Sequence, residues 1–363
     1  MKHVFSLLLL LSISFLQIRA QEKDTLNLVP ESEKDTLKIT IHAEKDLFSS
    51  VFPLRVTFLL NLKEFMRQHK QDKIFDAELI LNLTPTDSVK SKVRIQSSGT
   101  FRRSFCSFPP ILLQVKGSEK HKQNLDANHT LKLINQCKSE GMYESYLLKE
   151  YLIYKMFNII SPYSYKVRLV VVTYRDAANP RKQYVKYGFL LENTRRLANR
   201  THAKSVKEVG LTRLNVLPDD ITRTALFEYM IGNSDWVASS QHNIKILDPL
   251  DANVNRRVFV PHDFDYSGFV NADYAAPNAE LAQESVRDRI YLGGCVSDED
   301  FEKIFREFEA KKDTLISTII DFPLLDRVDK KKSEAYLNEF FDMLKNRKQM
   351  IASLRRQCVP VVR

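Results

Sequence analysis

Glycine is scarce in this chain, nine residues among 363, well below the roughly 7% usual for proteins. Phosphate-binding turns of the GxxxxGK and GxGxxG types need several glycines close together so that the backbone can approach a phosphate. Neither pattern occurs, which excludes a P-loop and a Rossmann dinucleotide site. The GxSxG, HExxH and EF-hand patterns are missing too, removing the usual signatures of nucleophile-elbow hydrolases, zincins and calcium loops. The four cysteines, Cys106, Cys137, Cys295 and Cys358, form no CxxC, so a zinc cluster is not expected. Past the N-terminus no window approaches the roughly 18 apolar residues that a membrane helix needs.

The N-terminus itself carries an export pattern. Residues 1–20, MKHVFSLLLLLSISFLQIRA, have a basic start, an apolar run from Val4 to Leu16 and the small Ala20 before a charged segment. This is the arrangement of a signal peptide, with cleavage expected after Ala20 and no transmembrane span left afterwards; the alternative is an uncleaved N-terminal anchor. Export to a periplasm or an extracellular surface permits disulfides. The cysteines fall two in each half, so pairing within each half is expected.

The hydrophobic content of 44% can fill a sizeable core. The formal net charge is +10, but the basic residues are spread along the chain rather than gathered in one tract. That pattern predicts a solvated basic surface, with a pull towards phosphate-bearing or anionic partners, and no nucleic acid partner.

Residues 21–50 are polar and repeat EKDTL at 22–26 and 33–37, the composition of a linker. Apolar and β-branched segments follow: PLRVTFLLNLKEFM, FDAELILNLTP, then SKVRIQSSGTFRRSF and FPPILLQV as two strands about a glycine-containing turn, and the short HTLKLINQ. They predict a mostly antiparallel sheet. GMYESYLLKEYLIYKMFNII predicts a helix with Tyr143, Leu147, Tyr151 and Tyr154 on one face, ended by Pro162. KVRLVVVTY and QYVKYGFLLEN flank a turn and read as a hairpin. After about residue 197 the pattern is largely helical, with DDITRTALFEYMIGN the clearest helix and further helices from about 298. The order describes a small β-rich lobe with one helix, residues 51–197, beside a larger helical lobe, residues 198–363.

Oxygen-bearing side chains gather in two stretches of the second half. IGNSDWVASSQHNIKIL holds Asp235 and Asn243, and HDFDYSG holds Asp263 and Asp265. Hard cations take carboxylate and amide oxygens, and phosphoryl transfer needs such a metal plus a carboxylate to orient the attacking hydroxyl. The strands HNIKIL and RRVFVP are expected to pair as a hairpin that brings Asn243 and Asp263 to one edge. An oxygen-rich site favours magnesium or manganese over zinc, so His242 and His262 are read as local hydrogen-bonding groups and Trp236 as a core anchor.

The motifs IGNSDW…HN, PHDFDYSG and SGTFRR…C.FPP, with this layout after about residue 50, resemble the CotH-type atypical kinases, secreted relatives of the spore coat protein kinase, in their Bacteroidetes-like exported form. The resemblance implies an α+β, kinase-like two-lobed fold binding ATP with Mg2+ or Mn2+. It implies that Asp235 is the catalytic-loop aspartate, Asn243 a metal ligand, and Asp263 or Asp265 the metal aspartate. Lys132 matches the strand lysine that pairs nucleotide phosphates, with Glu144 or Glu150 as its carboxylate partner. The turn holding Gly99 and Arg102 would cover the phosphates, and Glu192 lies where a hinge meets adenine. Two features depart from ordinary protein kinases: the longer interval from Asp235 to Asn243, and the single glycine in the phosphate-covering turn.

The function expected is transfer of the ATP γ-phosphate to a hydroxyl of a protein acceptor. The alternative is a catalytically inactive kinase-fold protein, binding or scaffolding at the cell surface. A metal-dependent phosphohydrolase around His262 and Asp263 lacks the extra histidine pairs such sites use.

Overall fold

Alternating burial builds the first half of the chain. β1 (Leu54–Leu60) buries Leu54, Val56, Phe58 and Leu60 and turns the residues between them outward, the period-two pattern of a strand with one core face. β2 (Ile74–Asn82), β3 (Ser88–Ser97), β4 (Ile111–Val115) and β5 (Leu131–Asn135) follow in antiparallel pairs. β6 (Val167–Asp176) and β7 (Gln183–Leu191) form the expected hairpin. The computed structural model describes residues 47–49, 52–82, 88–115, 130–207, 218–251 and 257–359, so the expected signal peptide and nearly all of the expected linker lie outside the described residues.

The sheet does not stay open. β1 also pairs in parallel with β6, from Leu54 against Val170 to Leu60 against Asp176, which closes a seven-stranded barrel in the order β1-β2-β3-β4-β5-β7-β6. This corrects the expected kinase-like two-lobed fold: the chain is a closed barrel followed by a helical region. Burial alternation tells which face of a strand is apolar, but not which distant strand its edge will find. Closure also leaves no free sheet edge in the barrel.

The barrel has its own core, in which Phe58 and Phe65 stack on Tyr174. Phe65 belongs to α1 (Leu62–Gln68), started by Asn61, whose side chain accepts from the Glu64 amide. The stretch read as one apolar segment is therefore a strand and a short helix. A second short helix, α2 (Phe101–Phe105), follows Gly99, whose φ of +86° suits the turn.

The long helix α3 (Gly141–Ile160) buries the predicted face and much of the rest of its surface. It shares a second core with β6, β7 and the C-terminal helices. Val167–Val170 are buried on both strand faces, because one faces the barrel interior and the other this second core. α4 (Thr194–Arg200) follows the barrel, and the expected division at 197/198 falls within it. β8 (Ala203–Val206), unforeseen in the sequence, then joins β9 (Ile244–Pro249) and β10 (Val258–Pro261) in a three-stranded sheet.

α5 (Pro218–Ile231) precedes β9, and α6 (Asp298–Ala310), α7 (Lys312–Ile320), α8 (Arg327–Lys345) and α9 (Arg347–Gln357) complete the helical region. Ser297 and Asp300 form a capping box at the start of α6, and Asp326 caps α8. The disulfides are Cys106–Cys137 and Cys295–Cys358, one in each half as expected. Among the described residues no helix is long and apolar enough to cross a membrane.

Candidate functional site

The β9–β10 hairpin sets the geometry. Ile244 opposes Pro261, so Asn243 and His262 are the next residues on each side, and the His262 amide donates to the Asn243 carbonyl at 3.0 Å. The expected shared edge is therefore present. Asn243 and Asp263 both have left-handed backbones, φ 52° and 64°, a conformation that Asn and Asp tolerate better than most residues.

Asp235 sits in the loop after α5, its amide accepted by the Asn233 side chain at 3.2 Å. Its carboxylate is oriented from two sides: the Asn243 amide donates to Oδ2 at 3.0 Å, and the His242 ring meets Oδ1 at 2.9 Å. The same Asn243 nitrogen also reaches the Asp235 carbonyl at 2.8 Å. The interval between Asp235 and Asn243 is long enough to form the small turn closed by the Val237–His242 bridge.

Asp263 and Asp265 lie beside an arginine. Arg102, carried on α2, spreads its guanidinium among three carboxylates: Glu150 on α3 at 3.1 Å through two parallel bonds, Asp263 at 3.0 Å, and Asp265 at 2.7 Å and 2.5 Å. Burial acts to deprotonate the guanidinium, but Asp265, Glu150 and Asp263 together hold its pKa well above the ordinary arginine value. The sequence offered Arg102 as a phosphate-covering residue or as one facing solvent. Nothing in TFRRSFC marks which arginine would turn inward.

Each acid responds differently. Burial pushes Glu150 up to about 7 against the pull of Arg102. Asp265 is raised by burial and by Asp263, with Arg102 opposing. Asp263 goes the other way: burial raises it, but Lys132 and then Arg102 overcome that and hold it far below the usual carboxylate range. Lys132 on β5 makes no ion pair among the described residues, yet it is the foremost cation acting on Asp263. The Asp263 amide donates to the Tyr154 hydroxyl at 2.9 Å. Tyr154 stands one helical turn beyond Glu150, so α3 fixes both the arginine and the hairpin end. Its place on the predicted buried face was the one sequence signal for it.

Asp235, Asn243, Asp263, Asp265, Glu150, Arg102 and Lys132 thus form one neighbourhood. Three predicted residues stand apart from it. Glu144 acts on Lys186 of β7. Glu192 is fully enclosed and structural in its contacts: it binds Arg200 at 2.9 Å and accepts from the Lys166 amide at 2.9 Å. Gly99 shapes the turn before α2, and a Cβ built on it would meet Arg102 at 4.0 Å and none of the acids. Glu150 meets Arg102, not Lys132, so the sequence pairing of that glutamate with the strand lysine is replaced by an arginine from a different element.

Carboxylate oxygens of Glu150, Asp263 and Asp265 lie within 4.8 Å of one another, donors of the type that magnesium and manganese take. The three acids outnumber Arg102 and Lys132, so the set can accept a further cation. Asp263, a third of its side chain exposed, is the acid most open to one. Entry of a metal requires Arg102 to loosen its hold there. His262 is kept neutral by burial, its pKa pushed down to about 3. Trp236 is buried in the second core, as a core anchor should be. No protein-family model matches this chain, and no curated protein does.

Proposed function

We propose that this chain is an exported, metal-dependent phosphotransferase that moves the ATP γ-phosphate to a protein hydroxyl, the activity its CotH-type resemblance implies. The proposal concerns the site and not a kinase-like fold. It is carried by one observation: an oriented carboxylate, Asp235, shares the end of the β9–β10 hairpin with an acidic cluster that faces Lys132 and Arg102.

Each residue then has a chemical task. Asp235, with 41% of its side chain exposed, can accept the hydrogen bond of an incoming hydroxyl and take its proton. Asn243 and His242 hold that carboxylate in one orientation. Asp263 and Asp265, with the Asn243 side-chain oxygen, would hold magnesium or manganese, which would supply positive charge to the phosphates. Lys132 offers a second positive point, and Arg102, once freed from Asp263, a planar one.

The alternative of a protein that binds without turnover is favoured by a separate observation, the Arg102 guanidinium lying where a cation would sit among the three acids. Incubation with γ-labelled ATP, Mn2+ and a mixture of hydroxyl-bearing protein acceptors separates the two. Label transferred by the wild type and lost at least about a hundredfold in Asp235→Asn is expected of a general base. Metal-dependent ATP binding with no transfer to any acceptor or to water would leave the binding protein.

A further inference from the structure

A cavity of about 220 Å3 lies between α3, α8 and the stretch following Asp265, and Ser145, Lys149, Arg287, Asp329, Lys332 and Ser333 line it. Its charges do not balance. Asp329 is already engaged, accepting from Ser145 Oγ at 2.5 Å and from Lys149 Nζ at 3.0 Å. Despite burial, those two bonds lower its pKa. Arg287 and Lys332 remain, and neither has a carboxylate partner among the described residues. The Arg287 guanidinium lies 4.4 Å above the Tyr336 ring, and among the described residues its only hydrogen bond is a long one, 3.5 Å, to the Gly268 carbonyl.

A second observation points to a ligand independently. Ser333 is 3% exposed, and its hydroxyl has no hydrogen-bond partner among the described residues. A buried hydroxyl left unpaired is costly, and an acceptor oxygen brought into the cavity removes that cost.

We propose that this cavity binds a phosphate dianion, either free or as a phosphomonoester, through Arg287, Lys332, Lys149 and the Ser333 hydroxyl. Two uncompensated cations match a doubly charged anion, and the planar guanidinium suits two phosphate oxygens at once. The volume leaves room for the group that carries the phosphate. The site is separate from the Arg102 cluster. Lys149 and Glu150 are consecutive on α3 and project about 100° apart, so one helix holds the cavity on one side and the acidic cluster on another. The assignment does not depend on phosphoryl transfer at Asp235.

Calorimetric titration of the full chain in EDTA, at fixed ionic strength, tests it with two probes, inorganic phosphate and a phosphoserine peptide. A single saturable site is expected for at least one probe, weakened roughly tenfold or more by Lys332→Glu and by Arg287→Gln, as loss of a charge-assisted contact demands. Lys332 is exposed, so its replacement tests binding with little risk to the fold. Binding should persist in Lys132→Ala, whose lysine belongs to the other site. Tighter binding of the peptide would assign the source to a phosphorylated chain, and tighter binding of inorganic phosphate to the free ion. Absence of saturable binding in the folded wild type, indifference to both cavity substitutions, or loss of binding in Lys132→Ala would each overturn the proposal.

Discussion

Arg102 keeps three carboxylates, two of them buried, from repelling one another. Its replacement by methionine keeps the bulk but strands those charges, and should lower stability by roughly 3–5 kcal/mol, the range for removing one partner of a buried ion pair; urea denaturation measures it. Glu228 provides a second residue-scale test. It is wholly buried under the Asp235 loop, accepts from the Asn233 side-chain amide at 3.0 Å, and among the described residues its other oxygen is unpaired. Burial raises it to about 8 from an ordinary 4.5. A carboxyl raised on folding stabilises the protein fully below its unfolded value, and that contribution fades as pH climbs through the folded value. Glu150 adds to the fall up to about pH 7 and the neutral His262 opposes it up to about 6.5, so stability should fall between pH 4.5 and 8, most plainly above 6.5. Glu228→Gln imitates the protonated form. It should flatten the thermal-unfolding profile and gain on the order of 2–4 kcal/mol over wild type at the alkaline end, with little change near pH 5. Wild-type stability that rises across this window would contradict the burial of a neutral Glu228.

Among the elements, α2 is five residues long, too short to be stable alone. Cys106 ends it and is bonded to Cys137, just after β5. The disulfide therefore ties the element that carries Arg102 to the start of α3. Its loop of 31 residues predicts a loss of roughly 3–4 kcal/mol in Cys106→Ser, and amide exchange should speed up in α2 before it does in α3. Elements of this kind show what could be read in the chain. The α3 face was legible because Tyr143, Leu147, Tyr151 and Tyr154 recur at helical spacing, and the shared edge of Asn243 and Asp263 followed from two adjacent strand patterns. α2 was hidden inside a turn, since FRRSF carries no period. β8 was hidden because a four-residue strand with only Ala203 buried has too little alternation to register.

At the level of the whole molecule, closure of the barrel depends on β1 meeting β6, a contact between segments more than a hundred residues apart. No local pattern encodes that pairing, which is why a two-lobed arrangement was expected and a barrel found. The site suffered from the same limit. Asp235, Asn243, Asp263 and Asp265 could be grouped because they lie close in sequence, whereas Arg102 reaches Asp265 across 163 residues of chain and Glu150 across 48, contacts that no local pattern encodes. Barrel, α3 and hairpin together place the acids, Arg102 and Lys132 in one neighbourhood, and the account stands on that neighbourhood being used for nucleotide and metal. Thermal unfolding of the wild type with ATP, with Mn2+, and with both tests this directly. A ligand that binds only the folded state adds about 2.7 kcal/mol at a hundred times its Kd. The account predicts a rise in Tm that requires ATP and metal together and disappears in Lys132→Ala and Asp263→Asn; an unchanged Tm with both present, at saturating concentrations, would contradict it.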